Sequence, residues 1–228
     1  MSWKEILEKR MKARRQILFS KDDDVIMSLN LLIDDMPRRA VILWALELAE
    51  ETVMLLETKY PFEKRPRTAL TMTRMWASGE VKMPVAKHAI LDCHAVAKEI
   101  SSTADIARCH AIGQACGTVH ANGHAIGFPI YDLTALIREN GLENCDEIIC
   151  NRMNDYLGKL FYWRENYRSC SNQWASFLTD ENSKSKHGKH QKDSSFKATF
   201  THLEKTGGTM PCGFGGLCLY VICYILLQ

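Results

Sequence analysis

Residues 107–128 read ARCHAIGQACGTVHANGHAIGF, and the spacing of glycine and histidine in this stretch decides the fold. At about 100° per residue, His110, Gly113, Gly117, His120, His124 and Gly127 fall within an arc of roughly 100° on one helix. Glycine inside a helix costs up to about 1 kcal/mol against alanine. Repeated glycines here (Gly123 lies off the stripe) therefore predict a compensating gain. That gain is close approach of a neighbouring helix or backbone, with imidazoles filling the space between. The pattern predicts a helix from Ser102 or Thr103 to Pro129, where proline kinks or breaks it before a helical stretch resumes to Asn140-Gly141.

Outward from this stretch, nearly every segment up to about residue 180 reads as helix. Strand signals are scarce, with no sustained period-2 alternation and no hairpin dipeptide between β-branched runs. Trp3 to Phe19 predicts a short basic amphipathic helix. Asp22 to Asp34 predicts a second, with aspartates in the first turn where the helix dipole favours them. Pro37 stands at a first helical position and opens a long helix to about Lys59, with Val41, Trp44, Leu48, Val53, Leu55 and Leu56 on a broad apolar face. Pro66 opens the next, which stops at Gly79. Pro84 opens another, with Val85, Ala89, Cys93, Val96 and Ile100 on one side. Glu143 to Trp174 predicts one or two more.

The chain has 228 residues, enough for one sizeable core. We expect an all-α, single multi-helix bundle over 1–181, a polar basic linker over 182–206 and a short apolar tail over 207–228. Met210 to Leu227 is uncharged, but only Leu217 to Leu227 is solidly apolar, and eleven helical residues reach about 16 Å. A buried terminal element, a stretch foreign to the domain and a membrane contact through 210–227 all remain open for it. The net charge of +2 is too small to indicate nucleic acid as the main partner. MSWKEILEKRMKARR has no apolar run of the secretory type. Nine cysteines without any CxxC indicate free thiols in a reducing cytoplasm.

Chemistry-bearing patterns are few. Cys116, His120 and His124 form a C-x3-H-x3-H row that could present a thiolate and two imidazoles to a metal if the helix is continuous. HANGH places Ala121 where the zinc-protease motif HExxH has its general base, so metalloprotease chemistry is not expected. The competing reading is a close-packed interface whose histidines hydrogen-bond to neighbouring helices. A real metal site requires a further ligand, His94 or a glutamate of the long helix, to converge on the row. Glu47, Glu50 and Glu51 on that helix read as a solvated face or as partners for Arg65 and Arg67. Arg65-Pro66-Arg67 puts two guanidiniums at a helix N-terminus, where they oppose the dipole and require an acidic partner, internal or external. The basic run Lys4 to Arg15 reads as a solvated face, with contact to a membrane or nucleic acid as the alternative. No GxSxG, no recognisable Cys/His nucleophile context and no phosphate-cradling loop occurs.

Four separated blocks between about Val41 and Ile137 resemble one family. They are LWALELAEETVMLLETKYP with Trp44 and Glu50; RPRTALTMTRMWASGEV with Arg65, Pro66, Arg67, Trp76 and Gly79; AKHAILDCHAVAKE with His94; and GTVHANGHAIG with His120, His124 and Gly127. Together they resemble the Imm-5-like putative immunity proteins of bacterial polymorphic toxin systems. The resemblance implies a cytoplasmic all-α protein that binds and neutralises a cognate toxin, by occlusion and without catalysis or cofactor. It carries no catalytic residue. Trp44, Pro66, Trp76, Gly79, His94, His120 and His124 are expected to be its structural signature. Glu47, Glu50, Arg65 and Arg67, with the loop from Tyr60, are the expected partner-binding features. The alternative is a metal-binding helical protein built on Cys116, His120 and His124.

Overall fold

In the computed structural model the long helix α3 (Arg38–Lys59) runs through the middle of the bundle, and its N-terminal half is buried on every side. Ala40 to Leu46 are all buried, so the single apolar face expected of this helix is in fact a full girdle. The structure describes residues 1–171 and 173–179. The chain divides into two units, 1–179 and 180–228; the linker and tail expected over 182–228 lie outside the described residues. Among the described residues all regular structure is helical.

Around α3 stand α1 (Trp3–Lys12), α2 (Asp24–Asp35), α4 (Arg65–Ser78), α5 (Met83–Val96), α6 (Thr103–Gly117), α7 (Gly127–Asn140), α8 (Asp146–Asn166) and the single turn α9 (Ser176–Thr179). Local chemistry sets most boundaries. Ser2 and Glu5 form a reciprocal capping box on α1. That helix stops at Lys12, short of Phe19, because Arg14 turns left-handed at φ +52°. Leu18 and Phe19 then enter the core as irregular chain, tied down by the Leu18 N–H donating to Thr134 Oγ1 at 3.1 Å. Pro37 caps α3 from just outside it and does not occupy the first helical position. Gly79 ends α4 at φ +87°, a conformation that a side chain disfavours. Trp44 is fully buried and donates from Nε1 to the Tyr156 carbonyl of α8 at 2.9 Å, its ring edge-on to that tyrosine.

The helix expected to continue to Pro129 ends at Gly117. A turn and a short 3₁₀ segment, Asn122–His124, reverse the chain into α7, and Pro129 sits harmlessly in the first turn of α7. Helices α6 and α7 form an antiparallel hairpin. Gln114 faces Gly127, His110 stacks near Tyr131, and Ala104 and Ala107 pack on Ala135.

Candidate functional site

The glycine and histidine residues of the hairpin form one side of a seam with α5. A Cβ added at Gly113 would overlap the imidazole of His94 on α5, whose Cδ2 would lie 3.0 Å away. A Cβ at Gly117 would come within 3.0 Å of His124 Cγ, and one at Gly127 within 2.6 Å of Gln114 Oε1. Imidazoles fill the space at Gly113 and Gly117 and the Gln114 amide fills it at Gly127, and two of the three contacts are made across a chain reversal and not along one helix. His94 Nδ1 lies 2.8 Å from His110 Nδ1, and His124 Nδ1 lies 2.9 Å from Gln114 Oε1. Burial pushes the pKa of His94, His110 and His124 below the ordinary histidine range; neighbouring histidines add to the effect at His94 and His124.

The proposed metal row does not form. Cys116 belongs to α6, His120 to the turn beyond it and His124 to the 3₁₀ segment, so their spacing no longer describes one helical face. Cys116 is fully buried, and burial raises its thiol pKa to about 12, which disfavours the thiolate a metal requires. His120 and His124 are both exposed, with the His120 ring against Trp76. Among the described residues no cluster of three or more His, Cys, Asp or Glu is arranged to hold a metal ion.

A second constellation lies at the corner between α3 and α4. Both arginines of the RPR motif find internal carboxylates. Arg67 pairs with Glu57 at 2.7 Å and with Glu50, which also receives Arg74 at 2.6 Å. Arg65 reaches Glu63 at 2.5 Å and makes a two-pronged contact with Glu99 at 2.6 and 2.7 Å. These bonds lower the pKa of Glu63, Glu57 and Glu99. The carboxylates thus supply the anions that guanidiniums at a helix N-terminus require. Glu47 is not part of this corner. It accepts a hydrogen bond from Trp163 Nε1 at 2.5 Å, and Glu51 pairs with Arg152 and Lys159, so both serve the contact with α8.

Between these ion pairs the chain Tyr60 to Lys64 is held tightly. Tyr60 donates to Asp105 Oδ2 at 3.0 Å, the Glu63 N–H to the Tyr60 carbonyl at 3.0 Å, and the Arg65 N–H to Glu63 Oε1 at 2.9 Å. At its tip Phe62 is 95% exposed. A large aromatic side chain on a tethered loop is a preorganised anchor, the kind of group that dominates interfaces. Its position in a polar stretch, PFEKR, is the signal that sequence reading passed over.

Two buried ionic networks were also missed. Asp105, only 2% exposed, is held by Arg108 at 2.7 Å, Lys59 at 3.2 Å and Tyr60. Asp132 receives Arg152 at 2.7 Å and Tyr156 Oη at 2.6 Å. Each is a charged residue inside an apolar period, which is the visible trace of a buried pair. Of the expected signature residues, Trp44, Pro66 and Trp76 are buried, Gly79 caps α4 with Ala175 against it, and His94 packs on Gly113, whereas His120 and His124 are exposed.

A model of the Imm-5 like putative immunity protein family matches residues 31–159, more than half of the chain. The chain belongs to that family. The match extends beyond the four blocks at both ends, taking in the last turn of α2 and α8 through Lys159, so the helix that closes over Trp44 is part of the Imm-5-like unit. No curated protein and no solved structure matches the chain. No helix among the described residues is long and apolar enough to cross a membrane.

Proposed function

We propose that this chain binds a cognate bacterial toxin in the cytoplasm and neutralises it by covering its working surface, without chemistry or cofactor of its own. Family membership supports the general role. The observation that carries the location is Phe62, displayed at 95% exposure on a loop tethered through Tyr60 and Glu63. Phe62 enters an apolar pocket of the toxin, while Glu50, Arg65 and Arg67 hold the loop rigid and form a polar rim. Rigidity matters because an ordered loop loses little entropy on binding.

The test pairs the full chain with a candidate toxin domain. Co-expression should protect cells, and calorimetry should give a defined complex. Phe62→Ser should weaken that complex by about 30-fold or more, the loss typical of an aromatic anchor. Its melting temperature should stay unchanged, because an exposed side chain contributes little to folding. An unaltered affinity in Phe62→Ser would move the contact elsewhere on the bundle. A toxin that kills regardless of co-expression would remove the immunity reading for that pair.

A further inference from the structure

His94 and His110 meet through the same ring nitrogen, Nδ1 to Nδ1, at 2.8 Å with ring centroids 5.1 Å apart. Only one proton fits between two such nitrogens. In the neutral pair one ring is the Nδ1–H tautomer and the other offers a lone pair. A first added proton goes to Nε2 of the donor ring. The bond survives and becomes charge-assisted. A second proton has only the accepting Nδ1 to go to. Two N–H groups would then face each other at hydrogen-bond distance, both on cations.

The surroundings do not relieve that clash. On α5, His94 rests on Gly113 of α6. On α6, Gln114 is engaged with His124. From α7 comes the Tyr131 ring, 5.3 Å from His110, with its hydroxyl kept neutral by burial. The 3₁₀ segment brings His124, which adds positive charge when protonated. Among the described residues no ion pair joins His94, His110 or His124 to a carboxylate, whereas His88 on the exposed side of α5 has Asp92 at 3.5 Å.

We propose that the His94–His110 pair is an acid-released latch, which holds α5 on the α6–α7 hairpin while it carries at most one added proton and opens when the second arrives. His94 lies in the last turn of α5, and Glu99 just beyond that helix clasps Arg65. Opening the latch therefore reaches the loop that displays Phe62. Only this last consequence rests on the toxin-covering reading; the latch itself does not.

The test uses the full chain. Imidazole nitrogens are titrated by NMR from pH 8 to pH 4.5, and α5 amide exchange, corrected for its intrinsic pH dependence, is followed over the same range. The pair should titrate in two separated steps. As pH falls towards the second step, the open population of α5 should rise about tenfold per pH unit, as linkage to one proton requires, and level off below it. His110→Gln and His94→Gln, each checked for native helicity at pH 8, should abolish that rise; if one fails to fold, the other carries the comparison. Single, independent titrations of both rings would overturn the proposal. So would α5 protection that is constant with pH, or acid opening that persists in a folded glutamine variant.

Discussion

Gly113 and Gly158 both lie inside helices, and the structure assigns opposite signs to their replacement by alanine. Around Gly158 on α8 nothing lies within 4 Å of an added Cβ. Gly158→Ala should therefore stabilise by the propensity gain alone, up to about 1 kcal/mol. At Gly113 the same gain meets the His94 ring. Forced repacking costs typically about 1–3 kcal/mol. Displacing His94 also breaks its bond to His110, worth about 0.5–1.5 kcal/mol. Gly113→Ala should thus lose about 2 kcal/mol net, or roughly 4–8 °C in melting temperature for a domain of this size. Urea unfolding followed by circular dichroism measures both variants. Adding His94→Ala removes the obstruction, so Gly113→Ala in that background should become neutral or stabilising. Stabilisation by Gly113→Ala alone, comparable to that at Gly158, would refute the close approach of His94 and with it the account of the seam.

Further outcomes follow from the buried polar groups. Asp105→Ala leaves Arg108, 4% exposed, with only Glu139 and should cost about 3 kcal/mol in urea unfolding. Burial raises the Asp105 pKa, but hydrogen bonds from Arg108, Lys59, Ser102 and Tyr60 outweigh it and bring the carboxyl below its ordinary value. Its contribution is present above the ordinary aspartate pKa and is lost as pH falls through the folded one, so acid titration should show a stability loss at low pH that is absent in Asp105→Asn. Trp44→Phe removes the hydrogen bond to the Tyr156 carbonyl and leaves a void, for about 2–3 kcal/mol, with loss of near-ultraviolet circular dichroism reporting the loosened contact.

Much of the architecture is written locally. Pro66 and Gly79 bracket α4 because each acts through its own backbone geometry, and Ser102 caps α6 through its own hydroxyl. The reversal after Gly117 is different. Small residues and histidines at three- and four-residue spacing produce the same stripe whether they lie along one helix or meet across a hairpin. His124 against Gly117 and Gly127 against Gln114 satisfy the pattern by folding back, which periodicity alone does not distinguish. The candidate site was legible in part for the same reason. Arg65 and Arg67 announced a need for acids, and Glu50 is indeed one of them. Glu57, Glu63 and Glu99 depend on how three segments come together, and Glu47 faces α8 because the N-terminal half of α3 is buried all round.

The Trp44 hydrogen bond spans 112 residues of sequence, and Glu51 reaches Arg152 across 101. During synthesis at about 5–20 residues per second, α3 thus leaves the ribosome on the order of ten seconds before α8 exists to cover it. For that interval the described helix with the most buried residues has no lasting partner on its Trp44 side. A fragment that stops before Asp146 would stay in that condition permanently, with Asp132 buried or half-buried beside no arginine. Nascent chains halted there should be the ones that chaperones hold, and the shortest stretch able to leave them should reach at least Leu160.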